Sequence, residues 1–395
     1  MKSLNLRRAP RALPTLSAIL LTAALSACGG GGGGGGSSNS GSGSTTTTSG
    51  QSLLDTYTVP DTVAAEKTAN YPTAFDASNT FLQSNCQVAG KASTTVYVGP
   101  NTLVYATTGV SDKAQALAAD YAEQSIAAVK AYFGLDTSTV GFDGTKVQVC
   151  ADNTLGASVG DDSTGVSGQG AFHALDVMSA DSVNFAARYP GATSLNAPVG
   201  TSYFDLYRHE MTHVYAETAV GYVASGSLER WFNEGLATTV SQLPMPSKAT
   251  VLGYAAQDLI VPVSTASTDM SVYPAFEATI EMMTSSAAGG LNNGVASIPT
   301  FLAAYKQAAI SACAIPIPSG LTPTAAATEG VPAGFENSCY QPAGGTSTTL
   351  APVFDTTFRQ VFHEADGVTP LLLHTSDGGN SLEATLATRL AAFLP

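Results

Sequence analysis

The sequence predicts an α+β fold, with strands gathered first and helices after them, and three observations carry that prediction. Thr94-Thr95-Val96-Tyr97-Val98 and Thr102-Leu103-Val104-Tyr105-Ala106 are alternating, β-branched runs joined by Gly99-Pro100-Asn101, a hairpin signal. Ser111 to Phe133 is Ala-rich, with apolar residues at helical spacing. From Ser202 to the C-terminus the apolar pattern keeps a helical period through several segments.

Residues 52–92 carry mixed signals and read as an N-terminal extension on the core. The helix at Ser111–Phe133 has Ser111 as its cap and stops at Gly134. Lys146-Val147-Gln148-Val149-Cys150 alternates as a strand does, residues 152–170 read as a Gly/Ser/Asp-rich loop, and Ala171–Met178 as a further strand. A helix is expected from Ser202, with Asp205 in its first turn to complement the helix dipole. Tyr203, Phe204, Leu206, Tyr207, Met211, Val214 and Tyr215 give it enough apolar surface to be buried. A turn at Val220–Gly226 leads to a second helix over Ser227–Gln242, and further helices are predicted over 274–286, 298–311, 352–364 and 380–393.

The chain ends and the composition bound the possibilities. Lys2, Arg7, Arg8 and Arg11 precede an apolar stretch from Leu13 to Leu25, which is shorter than the roughly 20 residues a spanning helix needs. Residues 1–27 therefore read as an export signal. Residues 28–51 begin with Cys28, continue as glycine from Gly29 to Gly36, and are then rich in Ser, Thr and Gly. Such a segment buries no core and behaves as a flexible tether with a reach of about 25 Å. Residues 52–395 form the folded region, about 340 residues, enough for one large domain or two lobes sharing a cleft. Net charge is −14, and loss of residues 1–27, with four basic and no acidic residues, takes it to −18. So acidic a surface disfavours nucleic acid as a partner. Besides Cys28, the cysteines Cys86, Cys150, Cys313 and Cys339 suit two disulfides in an oxidising compartment, and the sequence-local pairing is Cys86–Cys150 with Cys313–Cys339.

The chemistry concentrates in His209-Glu210-Met211-Thr212-His213. Histidines at i and i+4 lie on one helix face, close enough to grip one metal ion, with Glu210 between them. Trp231-Phe232-Asn233-Glu234-Gly235-Leu236-Ala237 follows, so Glu234 comes 21 residues after His213 and supplies an anionic third ligand. With five histidines in the chain, chance placement of this pattern is roughly 1 in 500. Two imidazoles, one carboxylate and one open position make the composition of a catalytic zinc site. The bland alternative is an amphipathic helix with two solvated histidines.

His209, Glu210, His213 and Glu234, with the Asn-Glu-Gly segment, resemble the gluzincins, the H-E-x-x-H…E branch of zinc metallopeptidases. The resemblance is specific over about 35 residues and extends more weakly over Tyr273–Gly290 and Phe354–Gly367, which look like helices of the peptidase MA-like domain. It implies a zincin-like fold, with an N-terminal strand-containing lobe, a C-terminal helical lobe and the metal site between them. It also implies that His209, His213 and Glu234 bind Zn2+, and that Glu210 is the general base for hydrolysis of a peptide or protein substrate. Leu25-Ser26-Ala27-Cys28 is similar to the lipobox of bacterial lipoproteins, which implies a lipid anchor on Cys28 and a place in the cell envelope. Gly29 after it points to the outer membrane.

The chain also departs from that pattern. No G-x-M-E-N stretch precedes the motif, so aminopeptidase activity is unsupported. Thr238 stands where thermolysin-like sequences carry an Asp, and Glu217 is a substitute for orienting a ligand. Tyr273 is the candidate oxyanion donor by family analogy, with Tyr254 its rival. His173, His363 and His374 are isolated and read as structural. Arg208 and Arg230 flank the site as substrate-carboxylate grips or structural ion pairs. The competing reading of the whole chain is a zincin-fold lipoprotein that binds a partner or cell-wall component without hydrolysis.

Overall fold

The structure is a computed structural model, and it describes residues 49–77, 82–157, 161–167, 173–193, 195, 203–224, 227–242, 244–257, 259–260, 270–316, 335–337, 350–375 and 380–395. The expected export signal and nearly all of the tether lie outside these residues.

The first half of the folded region supplies α1 (Ser49–Thr56), α2 (Asp61–Ala65), β1 (Lys67–Thr68), β2 (Val96–Val98), β3 (Thr102–Ala106), α3 (Asp112–Phe133), β4 (Val147–Asp152), β5 (Ser163–Ser167), β6 (His173–Met178) and α4 (Phe185–Arg188). Their strands form one six-stranded sheet in the order β1-β2-β3-β4-β6-β5. The β2–β3 pair is the antiparallel hairpin expected at Gly99-Pro100-Asn101. α3 then carries the chain across to β4, which runs parallel to β3, and β6 is parallel to β4. Crossover through a helix is what a parallel pair requires. The Ser111 hydroxyl accepts from the Ala114 N–H at the start of α3, and Gly134 ends the helix at φ 66°.

β4 and β6 are buried along their whole length because both sheet faces are covered. On one face α3 packs against β2–β4, α5 (Tyr203–Ala224) packs against β5 and β6, and the two helices pack side by side. On the other, Phe75, Ala77, Leu82, Cys86, Val96, Tyr105, Cys150 and Ala174 form a smaller core. The expected Cys86–Cys150 disulfide closes this second core. Cys313 is also disulfide-bonded, and Cys339, its expected partner, lies outside the described residues.

The rest of the described chain is mainly helical: α6 (Arg230–Ser241), α7 (Lys248–Ala255), α8 (Tyr273–Thr284), α9 (Ser297–Cys313), α10 (Leu350–Val361) and α11 (Leu382–Phe393), with a small antiparallel pair of β7 (Ala314–Pro316) and β8 (Phe335–Asn337). The fold is thus mixed α and β, with the large sheet drawn from the first half of the folded region. α6 is held by aromatic packing. Phe232 lies 5.0 Å from Phe301 and 5.8 Å from Phe354 between ring centroids, and Trp231 lies 6.0 Å from Phe358. Each such pair adds about 0.5–1.5 kcal/mol beyond area burial.

One expectation fails. The stretch expected to be a loop over 152–170 contains β5, a strand at the sheet edge paired antiparallel to β6. Its Ser-Thr-Gly-Val-Ser sequence has one large apolar residue, so its extended shape comes from pairing and from anchoring at Asp162, not from its own hydrophobic pattern. The turn expected at Val220–Gly226 is met by a break at Gly221, whose φ of 72° and ψ of 173° only glycine adopts readily, and beyond it helix resumes to Ala224. α4 and α7 were not foreseen; at four and eight residues they are too short for a clear periodic signal.

Candidate metal centre

α5 projects His209 and His213 from one face, and α6 brings Glu234 back beside them. The His209 and His213 Nε2 atoms lie 3.2 Å apart. Glu234 Oε2 lies 3.3 Å from the first and 3.4 Å from the second. The three residues are buried, and Glu234 Oε2 has no hydrogen-bond partner. Tetrahedral ligands at bond lengths of 2.0–2.1 Å stand about 3.3–3.4 Å from one another, so the triangle has the size for a small divalent ion. These three residues can therefore hold a metal ion.

The electrostatics agree with a site built around positive charge. Burial disfavours the charged form of His213, but the Glu234 carboxylate outweighs it and lifts His213 to about 9. Burial likewise opposes ionisation of Glu234, and the two histidines overcome it and hold Glu234 at about 2. Without a cation, a proton on His213 balances Glu234. A metal ion placed among the three atoms would take over that balance.

Glu210 is fully buried between the ligands and is fixed from the sheet edge. The Ser163 hydroxyl donates to Glu210 Oε1 at 2.9 Å, and the Gly165 N–H donates to Oε2 at 2.7 Å. Burial pushes the Glu210 carboxyl up, while His209, His213 and Ser163 pull it back. A carboxylate held at both oxygens has one orientation, as a general base needs. Gly165 makes the contact possible: a Cβ there would lie 2.2 Å from the Glu210 carbonyl oxygen. Just ahead of β5, the Arg188 guanidinium grips Asp162 with both Nε and Nη2 at 2.7 Å. That fork fixes the start of β5, and with it Ser163.

Ser163 and Gly165 are not among the residues the sequence singles out, because their stretch reads as a loop. The Asp162–Ser163 pair and the alternating Thr164 and Val166 were the available signals, and they are weak.

Gly235 has a parallel role on the other side. A Cβ at this position would lie 2.8 Å from Ile280 Cγ1 and 2.9 Å from the Phe276 carbonyl oxygen. The glycine beside Glu234 thus lets α6 sit directly on α8. Asn233 is close enough to His213 to favour its protonated form, although its Oδ1 makes no hydrogen bond. Nδ1 of both histidines lacks a partner among the described residues.

Tyr273, at the head of α8, is buried with its ring stacked on His209 at 6.2 Å and 8°. The Arg230 guanidinium lies over the Tyr273 ring at 5.4 Å. Tyr273 is therefore at the site, whereas Tyr254 lies on α7 and makes no contact of this kind. Thr238 donates to the Glu234 and Gly235 carbonyl oxygens within its own helix, so it orients neither histidine. Glu217 is buried and its charge reaches Tyr305; it is not in the metal-holding group. Arg208 is bound to Asp205 and to the Ser241 carbonyl, a structural tie between α5 and the end of α6. His173 is paired with Asp143 at 2.8 Å, away from the three ligands. The N-terminal strands and the helices that follow both reach the site, through β5 on one side and α6 and α8 on the other.

No protein-family model matches the chain, and no curated protein matches it.

Proposed function

We propose that the chain is a zinc-dependent peptidase of gluzincin type with a zincin-like fold, exported and tethered to the cell envelope through a lipid on Cys28. The supporting observation is the triangle of His209, His213 and Glu234 donor atoms with sides of 3.2–3.4 Å, beside a buried and doubly held Glu210. Two imidazoles and one carboxylate suit zinc among common divalent ions. When bound, zinc would supply Lewis acidity to polarise a carbonyl and acidify a water. Glu210 takes a proton from the attacking water on its carboxylate and delivers it to the leaving nitrogen. Ser163 and Gly165 keep that carboxylate aimed throughout. Tyr273 is the proposed donor to the oxyanion that develops at the scissile carbon.

The position of β5 supports a peptide as the proposed substrate. This strand is the last of the sheet and borders α5, so an extended peptide can add to its outer edge and pass Glu210. Among the described residues no helix is long and apolar enough to cross a membrane, and the proposed attachment is the lipid on Cys28. Peptide or protein substrates, and no nucleic acid, suit a chain of this acidity.

Two substitutions test the assignment. Glu210→Gln keeps the full zinc content and loses activity, while His213→Ala loses the zinc held by this site along with activity, as read by metal analysis and peptide turnover. Retained turnover in Glu210→Gln contradicts the role of Glu210. Zinc bound equally by wild type and His213→Ala contradicts the ligand set.

A further inference from the structure

Glu229 immediately precedes α6, yet its side chain makes no capping hydrogen bond to the helix. It turns inward instead. Its Oε2 accepts from Trp231 Nε1, and its Oε1 has no hydrogen-bond partner although the residue is only 3% exposed. Oε1 faces His374 Nδ1 at 3.5 Å, and the same nitrogen lies 2.8 Å from Asp355 Oδ1. His374 Nε2 is also buried without a partner. His374 itself sits at φ 49°, in the left-handed region that a residue of this size enters only when its surroundings hold it there.

The charges do not balance. Glu383 has a buried oxygen without a partner, and its charge acts on both Glu229 and His374. Two carboxylates face one imidazole, and among the described residues no Lys or Arg pairs with Glu229 or Asp355. A divalent cation among these groups would offset the excess of negative charge.

We infer that Glu229, Asp355 and His374 form a second divalent-metal site, taking a zinc-class cation through one imidazole nitrogen and carboxylate oxygens. Their donor atoms lie within 4.8 Å of one another. Imidazole mixed with carboxylate favours zinc or manganese over calcium, which takes oxygen ligands. The site joins the start of α6 to α10 and to the segment leading into α11. Its role is structural, because it would pin the N-terminal end of the helix that carries Glu234 to α10.

A plain ion pair of His374 with two carboxylates is the rival, and cation stoichiometry separates the two. Full-length protein in detergent is stripped with a chelator, dialysed against zinc with excess magnesium to clear loosely held cations, and analysed for zinc per chain. Asp355→Asn is expected to bind one zinc fewer than wild type, and His213→Ala is expected to retain one. An Asp355→Asn protein that melts cooperatively and binds as much zinc as wild type overturns the site. Should Asp355→Asn fail to fold, His213→Ala decides: one zinc supports the site and none overturns it. A wild-type count that falls in Asp355→Asn but not in His213→Ala supports this site while contradicting the His209–His213–Glu234 ligand set, so the two readings fail separately.

Discussion

At the scale of single residues, the site depends on two glycines as much as on its charged groups. Gly165 lets the sheet edge touch the backbone of the motif helix, and Gly235 lets the ligand-bearing helix touch α8. Gly165→Ala puts a methyl group 2.2 Å from the Glu210 carbonyl oxygen, which backbone alone must relieve. Overpacking of this kind costs about 1–3 kcal/mol, so a lowered urea midpoint is expected, together with reduced turnover as Glu210 shifts. Unchanged stability and turnover would show that the contact is dispensable. Ser163→Ala removes one of the two donors holding Glu210, and a fall in kcat with little change in KM or zinc content is expected. The grouping of His209, His213 and Glu234 was legible in the sequence because H-E-x-x-H has fixed helical spacing and Glu234 sits in a recognisable segment. Ser163 and Gly165 were not, since their position beside Glu210 arises from strand pairing across the sheet and leaves no local spacing to read.

At the scale of elements, long periodic segments declared themselves and short ones did not. α3 carries 22 residues with a serine cap and a stopping glycine, and its predicted limits match its structure. β5 has five residues and takes its shape from β6 and from the Asp162–Arg188 fork, neither visible in a local pattern. The turn expected over Val220–Gly226 is met by the break at Gly221, beyond which helix resumes to Ala224. The aromatic seat of α6 gives an element-scale prediction. Phe232→Ala removes a fully buried ring touching Phe301, Phe354 and Phe362, so a loss of about 3–5 kcal/mol in unfolding free energy is expected. Zinc affinity should fall with it, because Glu234 lies on the same helix. Another concerns Asp143, which fastens the segment before β4 to His173 on β6. Burial opposes ionisation of Asp143, but His173 and Thr145 outweigh it and hold the carboxyl at about 2, below the usual value of 3.8. A depressed carboxyl stabilises the folded state above the unfolded value and loses that contribution as pH falls through the folded one. Between about pH 4 and pH 2, wild type should therefore lose stability that Asp143→Asn does not, by under about 1 kcal/mol given the solvent screening of a partly exposed group. Parallel urea titrations of the two proteins across that range measure the difference.

At the scale of the whole molecule, the mixed α and β character and the N-terminal placement of the main sheet followed from sequence periodicity alone. The meeting of sheet edge and helices at one buried site did not, because it depends on which strand ends up outermost. β5 holds that position, and it carries both the grip on Glu210 and the sheet edge proposed to receive a peptide. The central claim is peptide-bond hydrolysis by this site. The most direct measurement is mass-spectrometric analysis of an unbiased peptide mixture incubated with the zinc-loaded full-length protein, in parallel with Glu210→Gln. The account predicts new termini with the wild type, at a rate reduced at least 10²-fold in Glu210→Gln by loss of the general base. A folded, zinc-replete wild type that leaves the mixture uncut would contradict it.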